Sequence, residues 1–264
     1  MDLGLENATA VVQGGTQGMG LAAAECFAQD GARVAVMART QSAIDETCER
    51  LRGLGSPDTI GLRADITNLD EVEAAFRTVD ERWGELNILV NAAGPGSAGG
   101  IEDLTDAEWM EAIDVGAMGM VRCVRAALPL LRRAEWARVV NLSAHSTKRQ
   151  TPSLVAYTAA KAAVTSITKN LSLALGPDEI LVNCVSPGSF ASPSLQGWAQ
   201  SVGIDPNDNY AIMRGIDEHF HHPAHLPRAG DPNEIGPVIA FAASRRNSYM
   251  TGANINVDGG SDFT

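Results

Sequence analysis

The sequence predicts one doubly wound α/β domain spanning residues 1–264, with a parallel sheet of about seven strands and helices on both faces. Three observations predict it. Short apolar, β-rich runs recur along the chain, and segments of helical period separate them. A glycine-rich turn, Gly14-Gly15-Thr16-Gln17-Gly18-Met19-Gly20, joins the first strand to the first helix. The 264 residues, 45% hydrophobic, suffice to bury a sizeable core without disulfides or metals.

The strands are expected at Thr9–Gln13, Arg33–Ala38, Thr59–Ala64, Ile88–Asn91, Arg138–Leu142, Ile180–Val185 and Ala253–Val257. They are mostly apolar, as parallel strands covered on both faces must be. Thr40, Thr67 and Thr105 stand where helix N-caps belong, and Thr67 with Asp70 approximates a capping box. Long helices are expected near 106–134 and at Ala156–Leu175. The stretch from Ser189 to about Asp231 breaks the rhythm. It holds four prolines (193, 206, 223, 227), Trp198, Tyr210, Phe220 and histidines 219, 221, 222 and 225, and it reads as a long irregular lid.

A net charge of −12 argues against nucleic acid and anionic membranes as partners. The four cysteines form no CxxC pair and read as reduced thiols. The first residues have neither a basic nor an apolar leader segment, so a cytoplasmic location is expected. The clustered histidines have no carboxylate or cysteine at metal-ligand spacing, so no metal is expected.

In open α/β sheets, ligands sit beyond the carboxyl ends of the strands. Gly14, Gly18 and Gly20 let bare backbone approach a pyrophosphate at a helix N-terminus, with Thr16, Gln17 and Met19 between them. The second strand ends without an acid. Arg39 and Thr40 follow it, and a guanidinium there suits a 2′-phosphate, so NADP(H) is favoured and NAD(H) remains possible. Asp65 closes the third strand, with Ile66 beside it, either as an adenine partner or as a residue of the next helix. Asn91-Ala92-Ala93-Gly94 follows the fourth strand. Its small residues admit the adenosine ribose, and Asn91 either serves that site or ties strands together.

Tyr157 and Lys161, four residues apart, share one helix face. A nearby ammonium favours the phenolate, which suits the pair to moving a proton. With these residues the chain resembles the short-chain dehydrogenase/reductase family, essentially from end to end. The glycine turn, Asn91–Gly94, Tyr157-x-x-x-Lys161, Ser186-Pro187-Gly188 and Val257-Asp258-Gly259-Gly260 match in order and spacing. The resemblance implies a Rossmann fold and hydride exchange between a nicotinamide and a secondary alcohol or ketone. It makes Tyr157 the acid/base, assisted by Lys161, which also holds the nicotinamide ribose. Pro187 and Gly188 would back the nicotinamide, and Ser192 would touch its carboxamide. It also implies a homotetramer or homodimer.

Two positions depart from the family pattern. Position 144, thirteen residues ahead of Tyr157, is Ala where a catalytic serine is usual, and Gly116 replaces an asparagine that supports a water next to the lysine. Ser146 shares the side of Ala144 if the strand continues, and stands as a replacement hydroxyl alongside His145. Ser143 would point the other way. Two functions stay open: an oxidoreductase with a rearranged polar shell, or a dinucleotide-binding regulatory or assembly subunit with weak or no catalysis.

Overall fold

The computed structural model describes residues 2–261. Seven parallel strands form one sheet: β1 (Thr9–Gln13), β2 (Arg33–Ala38), β3 (Thr59–Arg63), β4 (Ile88–Asn91), β5 (Ala137–Leu142), β6 (Ile180–Pro187) and β7 (Asn254–Val257). Their order across the sheet is β3-β2-β1-β4-β5-β6-β7, so the winding reverses between β1 and β4. Strands β1 and β4–β5 are buried along their full length, which matches their unbroken apolar character.

Helices α1 (Gly18–Gln29), α2 (Gln41–Gly53) and α9 (Pro232–Ala243) cover one face, around Phe27, Ile44, Leu51 and Ile235. On the other face lie α3 (Leu69–Trp83), α5 (Gly119–Leu131) and α6 (Val155–Leu175), packed around Phe76, Leu89, Leu131 and Val182. Cys48, Cys123 and Cys184 are buried, Cys26 is half-buried, and all four are free thiols. No helix among the described residues is long and apolar enough to cross a membrane.

Several expectations need correction. Strand β3 stops at Arg63, so Asp65 lies in the following turn. Asn68, not Thr67, caps α3: its side chain accepts from the Asp70 and Glu71 amides. Thr67 instead donates to Asp65 Oδ1 from both its amide and its hydroxyl, at 2.9 and 2.8 Å. Thr40 occupies the cap position of α2 without a side-chain bond, whereas Thr105 makes a complete capping box with Glu108. The helix expected near 106–134 is divided. Its first part, α4 (Asp106–Ile113), runs into a π turn at Asp114–Met118 before α5. A π turn inserts one residue into the helical ladder and shifts the faces on either side of it.

The 189–231 segment is not irregular. It contains α7 (Pro193–Ser201) and α8 (Asn209–Phe220), with a small core of its own that includes Ala199, Ile212, Met213 and Ile216. Pro193 opens α7, where its missing N–H costs nothing. The segment leaves and rejoins the sheet through one neck, where Phe190 pairs with Gly230 and the Ala191 amide donates to Gly230 O at 2.8 Å.

Candidate active site

At the carboxyl ends of the strands a cleft of about 1670 Å³ opens over the reversal point. The glycine turn forms one end. Gly14 and Gly18 have φ of 75° and 55°, and a Cβ on Gly14 would lie 2.7 Å from the Ala93 amide nitrogen. A Cβ on Gly20 would run into Gly14 O. The turn is therefore bare backbone by necessity. Gln17 precedes α1 without a side-chain cap, which leaves the first-turn N–H groups of α1 open to an anion.

Arg39 and Thr40 line the next stretch of the cleft, with Asp65 and Ile66 across from them. The Thr67 hydrogen bonds, with the nearby Arg39 and Arg122 guanidinium groups, hold the Asp65 carboxyl below its usual range. It stays ionised, with one oxygen committed to Thr67. Ala92, Ala93 and Gly94 also line the cleft. Asn91 does not. Its Nδ2 donates to Asn141 Oδ1 at 2.8 Å, and Asn141 passes the bond on to Thr168 Oγ1 at 2.9 Å. Of the two roles open for Asn91, the buried ladder joining β4, β5 and α6 is the one its amide nitrogen performs.

Tyr157 sits in the first turn of α6, and Lys161 one turn later. Both line the cleft. Lys161 Nζ donates to Leu142 O at 2.8 Å, and Gly94 lies so close that a Cβ there would stand 2.9 Å from Nζ. Burial pulls the Lys161 ammonium down to about 8 and pushes the Tyr157 phenol up to about 12. In the free protein, burial therefore outweighs any help from the lysine, and the phenol is held as a proton carrier. Ser143 turns away toward α6, as alternation requires: its hydroxyl donates to Lys161 O at 2.8 Å and meets Thr165 Oγ1 at 2.8 Å.

Ala144 is buried in the cleft wall and supplies no hydroxyl. The extended backbone ends there. Residues His145–Thr147 form a 3₁₀ turn, so the simple alternation argument for Ser146 does not hold. Ser146 nonetheless reaches the cleft lining. Its Oγ is buried and accepts from Thr158 Oγ1 at 3.5 Å, and its own proton remains to be donated.

Gly116 falls inside the π turn. A Cβ there would come 2.8 Å from Ala160 Cβ and 3.0 Å from Pro95 Cδ. The space of the usual asparagine is thus filled by Pro95 and Ala160. The sequence names Pro95 only as the residue after Gly94, and nothing in it signals this contact.

Pro187 ends β6, Gly188 follows it, and both line the cleft. The Gly188 amide donates to Val257 O at 2.9 Å, and a Cβ on Gly188 would meet Asp258 Cα at 2.6 Å. Ser192 lies above the glycine turn, its Cβ 3.5 Å from the position of a Cβ on Gly18. Trp198 and Phe220 line the cleft from the 189–231 segment. Tyr210 is exposed and lies outside it. Among the described residues no group of histidines, cysteines and carboxylates could hold a metal ion.

Comparison with known proteins agrees with this layout. A family model described as enoyl-(acyl carrier protein) reductase matches residues 14–262. The short-chain reductase protein NovJ of Streptomyces niveus is 31% identical over 97% of this chain and 94% of its own. The trans-4-hydroxycyclohexanecarboxylate dehydrogenase of Sinomonas cyclohexanicum is 30% identical over 95% and 91%. The structure of L-sorbose reductase from Gluconobacter frateurii, complexed with NADPH and L-sorbose, superposes with a TM-score of 0.91. The sequences are 27% identical, and each chain is covered completely. The seven-stranded sheet, the glycine turn, the Tyr157–Lys161 face and these end-to-end matches place the chain in the short-chain dehydrogenase/reductase family of NAD(P)-dependent oxidoreductases.

Proposed function

We propose that the protein interconverts a secondary alcohol and a ketone, using NADP(H) in preference to NAD(H), with Tyr157 as the acid/base. The observation that carries this reading is that the half-buried Tyr157 and the buried Lys161 share one helix face lining a cleft whose other end is bare glycine backbone. The cleft fits a dinucleotide. The glycine turn packs backbone on backbone and presents bare first-turn amides of α1 to the cleft, and Arg39 stands at the second strand end where a carboxylate would repel a 2′-phosphate. The L-sorbose reductase neighbour is an NADPH complex, which is consistent with this preference.

When bound, the nicotinamide supplies or accepts the hydride. Gly14, Thr16, Gln17, Gly18, Met19 and Gly20 would hold the pyrophosphate end, and Arg39 and Thr40 the 2′-phosphate. Asp65, Ile66, Ala92, Ala93 and Gly94 would enclose the adenosine, and Pro187, Gly188 and Ser192 the nicotinamide end. Tyr157 donates its proton to the substrate oxygen during ketone reduction and recovers it during alcohol oxidation. A charged Lys161 favours the phenolate left behind. Ser146 offers a second donor to that oxygen in place of the absent residue-144 hydroxyl.

The test is oxidation of NADPH and NADH by a panel of cyclic and acyclic ketones. Turnover is expected with NADPH, and Tyr157→Phe should reduce it by about 100-fold or more. Equal turnover by the phenylalanine variant would remove Tyr157 from the chemistry. Tight dinucleotide binding without turnover on any carbonyl would favour a regulatory or assembly subunit.

A further inference from the structure

One guanidinium ties two walls of the cleft together from outside it. Arg122 lies on α5, with its side chain 18% exposed. Its Nη1 donates to Ile66 O at 3.1 Å and its Nη2 to Asp114 Oδ1 at 2.6 Å. Ile66 belongs to the turn after β3, and Asp114 opens the π turn. Both line the cleft, as does Asp65. The planar guanidinium offers its donors in a rigid fork, so it holds its two partners at a set separation.

The π turn makes this bridge possible. At 3.6 residues per turn, residues eight apart on an unbroken α-helix stand about 80° out of line. One inserted residue leaves Asp114 and Arg122 placed as residues seven apart would be, about 20° out of line. Helical side chains lean toward the N-terminus, which carries the guanidinium toward Asp114 and the cleft. Ile66 is fixed through its side chain as well. It is buried, and a Cβ on Gly119 would stand 2.5 Å from Ile66 Cδ1, so helix backbone packs directly on it.

The residue before Ile66 is the one able to read a base. Asp65 Oδ1 is taken by Thr67, and beyond those bonds the Arg39 and Arg122 guanidinium groups favour the ionised carboxylate. An ionised carboxylate only accepts. Adenine carries an amino donor at its 6 position, and hypoxanthine carries a carbonyl there. A turn held still can tell the two apart, and a loose one cannot.

We propose that Arg122 is a positioning residue for the adenosine end of the cofactor: by tying the Ile66 carbonyl to Asp114 it fixes the turn against which the adenine is read. This role rests on the placement of the adenosine among Asp65, Ile66, Ala92, Ala93 and Gly94 given above. Arg122 acts through Asp65 and Ile66 rather than by touching the cofactor.

The experiment is calorimetric binding of NADP⁺ and of nicotinamide hypoxanthine dinucleotide phosphate to wild type, Arg122→Leu and Arg122→Lys. A general loosening of the fold weakens both ligands by the same factor and cancels in their ratio. Wild type is expected to favour NADP⁺ by about tenfold, the worth of one hydrogen bond to a charged group. That preference should fall to about twofold in Arg122→Leu. It should recover in part in Arg122→Lys, whose ammonium keeps the charge without the fork. Initial rates should show the loss in KM for NADPH, with kcat held within about twofold. A preference in Arg122→Leu equal to that of wild type, whether or not both ligands bind more weakly, overturns the role of Arg122 and leaves the adenosine placement standing. No preference in wild type overturns both.

Discussion

Replacing Lys161 with methionine should make the free protein more stable and the enzyme inactive. Lys161 is 4% exposed, and its Nζ has one protein acceptor, Leu142 O at 2.8 Å. No carboxylate offsets the burial that draws its ammonium from 10.5 down to about 8. At about 1.4 kcal/mol per pH unit, holding that charge in the fold at pH 7 costs about 3 kcal/mol. Methionine fills a similar volume and forfeits a hydrogen bond worth about 1 kcal/mol, for a net gain of about 2 kcal/mol. A chain of this size should then melt about 4–8 °C higher. The pH dependence gives the sharper test. The folded lysine releases its proton above about 8, and the unfolded one only near 10.4, so unfolding takes up a proton between these values. Wild-type stability therefore rises with pH across that window, and the gap to the methionine variant closes. Melting curves of the cofactor-free proteins at pH 7, 8 and 9.5 would show it. Tyr157, pushed up to about 12, favours unfolding only above about pH 10, where free tyrosine ionises. A variant that melts at or below wild type at pH 7, or a gap of the same size at pH 9.5, would refute the reasoning. Ketone reduction by the same variant should fall by about 100-fold or more.

Other perturbations have equally definite outcomes. Gly116→Ala presses a methyl group against Ala160 and Pro95, and should cost about 1–3 kcal/mol in denaturant unfolding, so an asparagine there will not restore a water relay. Arg39→Ala should raise KM for NADPH by about 10- to 100-fold and leave KM for NADH nearly unchanged, as initial rates with both would show. Asn141→Ala breaks the Asn91–Asn141–Thr168 ladder and should lower stability by about 1–3 kcal/mol by chemical denaturation. The fork between Arg228 and Glu234, at 2.7 Å for both bonds, holds the Glu234 carboxyl down to about 2. Its contribution should be complete above the normal carboxylate range and vanish as pH falls toward 2, so Glu234→Gln should flatten part of the acid limb of a pH–stability curve.

The parts of this molecule legible in its sequence are those written locally. Strands buried on both faces are continuous apolar runs, and the glycine turn must be glycine because neighbouring backbone leaves no room. Tyr157 and Lys161 share a face by helical spacing alone. What escaped depends on competition or on distance. Thr67 and Asn68 are adjacent capping residues, and Asn68 prevails because Thr67 is taken up by Asp65. Prolines that read as breakers in the 189–231 segment include Pro193, which starts a helix. The π turn has no periodicity of its own, and Pro95 and Ala160, which leave no room for a Cβ at Gly116, lie too far along the chain for a short window to hold them together. The lysine's partner is a backbone carbonyl nineteen residues away, and backbone groups leave no mark in a sequence.

The neck at Phe190 and Gly230 has a consequence for how this enzyme could be altered. A Cβ on Gly230 would lie 2.6 Å from the Phe190 ring, so the doorway is closed by an aromatic plate against a hydrogen atom. Everything between residues 191 and 229 enters and leaves through it, and carries its own small core. That stretch is a cassette. It could be exchanged for one of different length or shape by two cuts at the doorway. Tyr157 and Lys161 lie outside the cuts and would stay where α6 holds them. Tyr157 and Lys161 and much of the apolar wall are thus inherited on separate pieces of chain, and Ser192 travels with the wall.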